Sequence, residues 1–311
     1  MESITVEIRE QQIAAANSAV PSAKGREKLA AYIVLTKPRI ALMLVLTAAA
    51  GFYLGTVNSF DWVLFAHSMI SIALLAFGVA TLNQYLERDT DMLMKRTATR
   101  PLPTGKLSSA QALVFGILLC FAAEIYLAVF VNFLTAILGL TVIVGYVLLY
   151  TPLKTRTTLS TLIGAFPGAM PPLMGWTAAA NEISLNGWAL FWTLFLWQFP
   201  HFLAIAWMYR HEYKQAGILM LPVVEPAGKI TAQQIVIFAV LTLIISLAPF
   251  FLGFAGWFYL IGAAVLGVWF LLAGIGFART KSDESARKLL RVSVMYLPLL
   301  FGLMVLSKAF G

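Results

Sequence analysis

A series of oxygen-bearing side chains marks the end of the second apolar run. Asn83, Glu87 and Asp91 are spaced i, i+4, i+8, so they line one side of a helix if that helix continues to residue 91. Asp89 points away from that side. Two carboxylates and an amide oxygen beside low-dielectric lipid repel each other unless positive charge intervenes. Because Mg²⁺ prefers oxygen ligands and leaves positions for substrate phosphate, the series predicts a Mg²⁺–phosphate site.

Basic side chains follow the series and could bind the phosphate oxygens that a metal ion leaves free. Residues 83–106 concentrate charge in a chain that is only 12% charged. Arginine can bind phosphate in bidentate fashion, and the Arg-Pro-Leu-Pro turn at 100–103 is rigid. The alternative is a solvated helix end whose cations only reflect membrane topology. The basic residues that follow the series are Lys95, Arg96, Arg100 and Lys106, and Arg88 lies within it.

Two further polar segments are expected on the same side of a membrane as this series. One is 150–156, which contains Lys154, and the other is 209–214, which contains Glu212. Three polar loops on one side of a helical bundle can cap a single cavity. The pattern therefore favours a shared site, although the sequence alone does not show that the loops meet.

The elements that must position these groups are membrane helices. The chain is 60% hydrophobic with a mean hydropathy of +0.84, and its apolar runs are continuous rather than alternating. A helix needs roughly 20 apolar residues to span the hydrocarbon core. Pro167, Pro171 and Pro172 must break or kink the fifth run. The predicted fold is an all-α polytopic membrane protein with about nine spans, at 39–57, 61–86, 109–127, 132–150, 158–178, 187–209, 231–252, 256–278 and 288–308.

The cations alternate with these spans. All but one of the 22 Lys and Arg residues fall on one face, and Lys308 alone falls on the other. The positive-inside rule then predicts a cytoplasmic N-terminus and an external C-terminus. The net charge of +8 thus reflects topology and does not indicate a nucleic-acid partner.

The N-terminal segment differs from the rest of the chain. Residues 1–28 are predicted to form a cytoplasmic, disordered tail, and 29–311 the membrane domain. The tail contains Glu2, Glu7 and Glu10 and lacks an apolar h-region, so it is neither a signal nor a transit peptide. This favours a bacterial plasma membrane with the polar site facing the cytoplasm. The single cysteine, Cys120, excludes an intrachain disulfide and a thiolate metal cluster.

Taken together, these motifs resemble the UbiA superfamily of intramembrane prenyltransferases, and within it the branch that prenylates haem. The oxygen series is similar to the superfamily's Asn-x-x-x-Asp-x-x-x-Asp motif. Nine helices is also the superfamily's fold. The supporting stretches, in family order, are KRTATRPLPTGK (95–106), YTPLKTRTT (150–158), GAFPGAMPPLMGW (164–176), WQFPHFLAIA (197–206) and EYKQAGILMLPVV (212–224).

The resemblance implies a reaction and a set of polar site residues. A farnesyl group would pass from farnesyl diphosphate to a vinyl group of haem b, with Mg²⁺ and water addition, giving haem o and diphosphate. Asn83, Glu87 and Asp91 would be metal ligands and catalytic residues, with Glu87 one methylene longer than the usual Asp. Glu212 would be a further catalytic residue, at the acidic position of the family's second motif, while Ala216 one turn on weakens the case for a second Mg²⁺. The diphosphate-binding residues would be Arg96, Arg100, Lys106, Lys154 and Arg210.

A haem acceptor also requires residues that hold a porphyrin. His201, about two helical turns inside the sixth span, is predicted to ligate the iron or position the ring. The alternative is a core histidine bonded to a backbone carbonyl. Tyr150 and Tyr213 are predicted to contact the haem. Glu124, an intramembrane carboxylate, is a functional candidate, a neutral hydrogen-bonded acid, or a side chain that snorkels toward the outer end of its span. His67 is expected to make a polar contact near the opposite face.

Other functions remain open at the level of sequence. The chain could prenylate a quinone-precursor aromatic, transport a solute through an acidic ion site, or assist assembly of a respiratory oxidase without catalysis. Clustering of charge at one surface argues against transport. The partners expected from the resemblance are farnesyl diphosphate, haem b, membrane lipid, and a haem A synthase or terminal oxidase as acceptor of haem o.

Overall fold

The computed structural model describes residues 25–310, and this part of the chain is entirely helical apart from its connecting segments. Of the predicted tail, residues 1–24 lie outside the described residues, and 25–28 form the first turn of a helix. The main helices are α1 (Gly25–Leu35), α2 (Pro38–Gly55), α3 (Trp62–Asp91), α4 (Ser109–Phe130), α5 (Phe133–Ile143), α6 (Ser160–Gly168), α7 (Met170–Ala180), α8 (Leu185–Met208), α9 (Arg210–Gln215), α10 (Lys229–Ser246), α11 (Trp257–Thr280) and α12 (Asp283–Phe310).

Short helical elements lie between the main helices. A π-helical segment, Val144–Tyr150, and a single turn, Thr151–Leu153, continue α5 toward the polar end of the bundle. Further single turns lie at Leu221–Val224 and Ala248–Phe251. π-Helical segments are rare and are frequently found at functional sites. The one here leads directly into the predicted polar segment 150–156.

Side-chain caps fix where several helices begin. The Asp61 carboxylate accepts hydrogen bonds from the N–H groups of Val63 and Leu64 at 2.9 Å each, so α3 begins at Trp62. Ser108 and Gln111 form a reciprocal capping box ahead of α4. These caps satisfy N–H groups that the first turn of a helix leaves free.

The predicted spans are confirmed with one change in their number. Eight helices are long and apolar enough to cross a membrane within the part of the chain that the structure describes. The fifth predicted span, 158–178, is instead two short helices, α6 and α7, that meet at Ala169. Pro167 lies within α6, and Pro171 and Pro172 open α7, so a continuous hydrogen-bond ladder cannot form there. The predicted break is therefore confirmed, and the nine spans become eight continuous ones and one interrupted pair.

Glycines allow α2 and α7 to pack with their backbones in contact. A Cβ atom at Gly51 would lie 2.0 Å from the carbonyl oxygen of Pro172, and one at Gly175 would lie 1.9 Å from that of Ala48. Small residues at helix crossings permit this close approach in membrane proteins. The second helix of the interrupted pair, α7, is thereby held against α2.

Lys308 lies at the end of the bundle opposite to the other Lys and Arg residues between positions 25 and 310. Its Nζ donates hydrogen bonds to the carbonyl oxygens of Tyr53, Leu54 and Thr56 at 2.7, 3.0 and 2.5 Å, around the C-terminus of α2. The last helix is thereby tied to the first span. This position agrees with the prediction that Lys308 stands apart from the remaining Lys and Arg residues.

Candidate active site

The oxygen series lies on one side of α3, as its spacing predicts. The helix continues to Asp91, and Asn83 and Asp91 are each only 1% exposed. The Glu87 carboxylate lies between them with 13% of its side chain exposed. Asp89 is about half exposed and pairs with Arg88 at 3.7 Å, away from this side of the helix. Two carboxylates and an amide are thus withdrawn from water within two turns of one helix.

Each member of the series faces a cation from a different part of the chain. Lys37 Nζ donates to Asn83 Oδ1 at 2.8 Å, and Lys154 Nζ donates to Glu87 Oε1 at 2.5 Å. One guanidinium nitrogen of Arg100 donates to both oxygens of Asp91, at 2.8 and 2.7 Å. Opposite charges at these distances offset much of the cost of burying the carboxylates.

Lys37 is brought into the site by the junction between α1 and α2. It adopts a left-handed backbone conformation with φ of 46° immediately before Pro38, which turns the chain into α2. Burial lowers the pKa of Lys37 to about 8, although the Glu87 carboxylate opposes this shift. Lys37 was expected only to mark topology, so it is a site residue that sequence reasoning missed. The available signal was a cation directly before a proline at the entry to a span.

Lys154 follows the π-helical segment and pairs with Glu87. Its ammonium lies 4.4 Å from the centre of the Tyr150 ring, in a cation–π arrangement. Burial alone would lower the pKa of Lys154, but the Glu87 carboxylate reverses that shift and holds it well above its ordinary value. The ammonium is therefore charged at neutral pH. Lys154 thus reaches the oxygen series, and Tyr150 lies beside its ammonium.

A hydroxyl completes the contact between α3 and this segment. Asn83 Nδ2 donates to Thr151 Oγ1 at 3.2 Å, and Thr151 in turn donates to the carbonyl oxygen of Tyr146 at 2.8 Å. These two bonds fix which way the Asn83 amide points, with its oxygen toward Lys37. Thr151 was not among the predicted site residues, and its side chain carries no charge that would have singled it out.

The third polar segment also reaches this end of the bundle. The Glu212 carboxylate accepts a hydrogen bond from the backbone N–H of Arg96 at 3.3 Å, and Arg96 donates to the Tyr213 hydroxyl at 3.5 Å. The Arg96 guanidinium lies 5.0 Å from the centre of the Tyr209 ring. In addition, the N–H of Leu219 donates to the carbonyl oxygen of Lys154 at 2.7 Å. The three polar segments therefore meet at one end of the bundle.

Two of the predicted diphosphate ligands lie apart from the oxygen series. Arg210 donates to Asp283 at 2.8 Å and to the carbonyl oxygen of Trp207 at 2.5 Å, so it ties the end of α8 to the start of α12. Lys106 is exposed and forms no side-chain hydrogen bond or ion pair with residues 25–310. The structure thus does not bring Arg210 or Lys106 into contact with Asn83, Glu87 or Asp91.

His201 lies on α8 and contacts α12. Its Nδ1 is 2.8 Å from the Ser293 hydroxyl, and its ring stacks on Trp197 with centroids 4.7 Å apart. The Trp197 indole donates to the Ser293 carbonyl oxygen at 3.0 Å. The partner of the histidine is therefore a serine hydroxyl, and the alternative of a backbone carbonyl partner does not hold.

Two further polar residues within the membrane spans, His67 and Glu124, do not contact the oxygen series or His201. His67 Nδ1 is 2.9 Å from the Tyr126 hydroxyl, a polar contact between α3 and α4 of the kind that the sequence predicted. One oxygen of Glu124 is buried without a hydrogen-bond partner, and it is the atom that a Cβ at Gly139 would meet at 2.6 Å. The expectation of a hydrogen-bonded acid at Glu124 is thus not met for this oxygen.

The donor set suits a hard cation that shares its coordination with a substrate. Carboxylate and amide oxygens of the α3 series are the ligands that Mg²⁺ takes in proteins. No group of three or more His, Cys, Asp or Glu that could enclose a metal ion occurs between residues 25 and 310. The residues therefore fit a site built from one or two carboxylates and completed by phosphate oxygens, and they do not fit a cage made of protein alone.

Comparison with known proteins places this arrangement in a family. Residues 44–300 match the model of the UbiA prenyltransferase family. A protein named protoheme IX farnesyltransferase from Solibacter usitatus is 46% identical over 89% of this chain and 98% of its own length. Its namesake from Koribacter versatilis is 44% identical over 93% of this chain and 97% of its own length.

Solved structures show the same fold at lower sequence identity. A digeranylgeranylglyceryl phosphate synthase superposes with a TM-score of 0.78 at 18% identity, over 92% of this chain and 100% of its own. A UbiA homologue from Archaeoglobus fulgidus, bound to GPP and Mg²⁺, superposes with a TM-score of 0.63 at 18% identity, over 88% of this chain and 99% of its own. At such identities the likeness concerns the fold alone.

Proposed function

The chain belongs to the UbiA prenyltransferase family, and from that membership we propose how it acts as a protoheme IX farnesyltransferase. The substrates are farnesyl diphosphate and haem b, and the products are haem o and diphosphate. The observation that carries the proposal is the buried series Asn83, Glu87 and Asp91, whose oxygens face three cations at the polar end of a membrane bundle. A polar cradle beside lipid suits a substrate with a charged head and an apolar tail.

The proposed metal is Mg²⁺, held by oxygens of Asn83, Glu87 and Asp91 together with the diphosphate. When bound, it would neutralise charge on the leaving group as a Lewis acid. The chain's own cations contribute in the same direction. Lys37, Lys154 and Arg100 now face the oxygen series, and they would turn toward the phosphate oxygens as the metal–diphosphate complex enters.

The reaction begins with cleavage of the bond between the allylic carbon and the diphosphate oxygen. The electron pair leaves with diphosphate, and positioned cations stabilise this developing charge. The haem vinyl group then attacks the allylic carbon, and water adds to the resulting cation with loss of a proton to solvent. Exclusion of bulk water by the surrounding helices protects the allylic cation until the vinyl group has reacted.

The contacts of the remaining basic residues support a diphosphate-binding role for some of them and not for others. Arg96 lies within the polar cluster through Tyr213 and Tyr209, and Glu212 holds the backbone beside it, so we assign Arg96 to diphosphate and Glu212 to its positioning. Burial raises the pKa of Tyr213, which keeps its hydroxyl protonated as a donor. The assignment of Arg210 and Lys106 to diphosphate remains a sequence prediction without a supporting contact.

Haem is assigned to the space beside His201 on α8, where α8 packs against α12. His201 is the proposed iron ligand, and Tyr150 and Tyr213 are proposed to contact the porphyrin. The orientation that follows from the positive-inside rule puts the site at the cytoplasmic face of a bacterial plasma membrane. A haem A synthase or terminal oxidase would then receive haem o.

The identity of the prenyl acceptor is tested by offering two candidate acceptors together and identifying the prenylated product by mass. Purified protein in detergent receives farnesyl diphosphate, Mg²⁺, haem b and a quinone-precursor aromatic acid. We expect haem o as the prenylated product, identified by mass after extraction. Prenylation of the aromatic acid with haem b unchanged would replace the proposal by a quinone-type prenyltransferase.

A further inference from the structure

The hydrogen bonds around His201 determine which of its nitrogens can bind a metal. The Ser293 hydroxyl is 2.8 Å from His201 Nδ1, and it also donates to the carbonyl oxygen of Leu290 at 2.7 Å. A hydroxyl has one proton to donate. Because that proton goes to Leu290, the hydroxyl must accept from His201, so the proton of the neutral imidazole is on Nδ1.

The opposite nitrogen is then an available ligand atom. Nε2 carries the lone pair of this tautomer, and it has no hydrogen-bond partner among residues 25–310. Nε2 is not one of the fully buried side-chain atoms that lack a partner in the described residues, so part of its surface is open to a neighbouring space. A neutral imidazole whose other N–H is engaged is the usual form of a histidine that ligates a metal.

The ring plane is fixed as well as the tautomer. Trp197 stacks on the imidazole with an interplanar angle of 23°, and its indole N–H is anchored on the backbone carbonyl of the same Ser293. Ser293 is fully buried, so this anchor does not exchange with water. One residue of α12 thus holds both the histidine of α8 and the aromatic ring that supports it.

From these contacts we infer that Ser293 is a positioning residue for the haem substrate, because it fixes His201 in the tautomer whose Nε2 binds the haem iron. The inference rests on the proposed function, since it takes haem b as the acceptor. A hydrogen bond from Nδ1–H to an acceptor raises the basicity of the other nitrogen, and loss of such a partner typically weakens metal binding about 10- to 100-fold. We expect about a tenfold loss of haem affinity without the hydroxyl.

The test compares wild-type protein with Ser293→Ala, Ser293→Thr and His201→Ala. Haem b is titrated into each protein in lipid nanodiscs and followed by its Soret band, and the iron–histidine stretch of the ferrous complex is recorded by resonance Raman spectroscopy. Ser293→Ala is expected to weaken haem binding about tenfold and to lower the stretching frequency, with the KM for farnesyl diphosphate unchanged. Ser293→Thr, which keeps a hydroxyl, is expected to restore both, and His201→Ala is expected to lose the iron–histidine band and to regain it with added imidazole.

Ser246→Ala is the matched control. Ser246 is also fully buried, and its hydroxyl also donates to a backbone carbonyl three residues earlier, that of Leu243, but no histidine contacts it. The control is expected to leave haem affinity and the Raman band at wild-type values. Equal effects of Ser246→Ala and Ser293→Ala would reduce Ser293 to a packing residue and overturn the inference.

Three further outcomes decide between this inference and the proposed function. If wild-type protein makes haem o but Ser293→Ala binds haem with an unchanged band, the positioning role is wrong and the function stands. An iron–histidine band that persists in His201→Ala would likewise overturn the inference. If wild-type protein binds haem through His201 but makes no haem o, the proposed function fails while the Ser293 assignment stands.

Discussion

At the scale of single residues, the site depends on pairs of opposite charges withdrawn from water. Glu87 and Lys154 have 13% and 17% of their side chains exposed, and they join helices that are far apart in the chain. Removing one member of such a pair leaves an uncompensated buried charge, whereas removing both leaves none. Stability and catalysis should therefore respond differently to single and double substitutions here.

Lys154→Met is expected to destabilise the protein by about 3 kcal/mol, because the Glu87 carboxylate loses its partner. Adding Glu87→Gln is expected to recover most of that stability without recovering activity. The buried thiol of Cys120 gives a convenient readout, since a thiol-reactive dye labels it only on unfolding. Lys214→Met, at an exposed position, serves as the control and should melt with the wild type. A double variant less stable than Lys154→Met would contradict the pairing.

Lys37 predicts a pH dependence with a definite sign. Burial lowers its pKa from 10.5 to about 8, so between those values the unfolded chain binds more protons than the folded protein. Stability contributed by this group therefore rises as the pH increases from about 8 toward 10.5. In Mg²⁺-free detergent, the melting temperature of wild type minus that of Lys37→Met should increase over this range. A difference that stays constant with pH would contradict the shift.

At the scale of elements, close packing of helix backbones holds the site together. A Cβ at Gly175 would lie 1.9 Å from the carbonyl oxygen of Ala48, so α7 and α2 must separate in Gly175→Ala. Overpacking of this kind costs about 1–3 kcal/mol or more. We expect a clear fall in melting temperature and in folded yield. Gly302→Ala is the matched control, because a Cβ there meets nothing within 4 Å and should be neutral or slightly stabilising.

The sequence predicts the elements better than the connections between them. The spans follow from hydropathy. The continuation of α3 beyond the predicted span 61–86 to Asp91 is only assumed from the sequence, and the structure shows it. The π-helical segment before Thr151 leaves no comparable signal, because its residues are as apolar as those of the preceding helix. Contacts at the turn that follows this segment, such as Thr151 with Asn83, therefore could not be predicted.

The site residues also differ in how far the sequence predicts their grouping. Asn83, Glu87, Asp91 and Arg100 lie within one stretch of sequence, so their grouping follows from helix geometry and a short turn. Lys37 joins them from another segment through a left-handed residue before a proline, and only the fold brings it there. Arg210 carries the same charge as Arg100, yet its pairing with Asp283 depends on where α12 begins.

At the scale of the whole molecule, the polar segments gather at one end and Lys308 lies at the other. This arrangement predicts the accessibility of engineered cysteines in a Cys120→Ala background. A cysteine at Lys214 should react with a membrane-impermeant maleimide in inverted vesicles, and one at Ser59 should react in right-side-out vesicles. Both positions are exposed. Labelling of the Lys214 position from the outside would reverse the proposed orientation.

The central claim is that the oxygen series of α3 supports farnesyl transfer to haem b, and two neighbouring aspartates test it most directly. The measurement is the rate of haem o formation, by mass, in purified wild type, Asp91→Asn and Asp89→Asn with farnesyl diphosphate, Mg²⁺ and haem b. Asp91 is buried against Arg100, whereas Asp89 is half exposed on another side of the same helix. We expect Asp91→Asn to lower the rate about 100-fold or more and Asp89→Asn to remain near wild type. Haem o formation by Asp91→Asn at the wild-type rate would contradict the account.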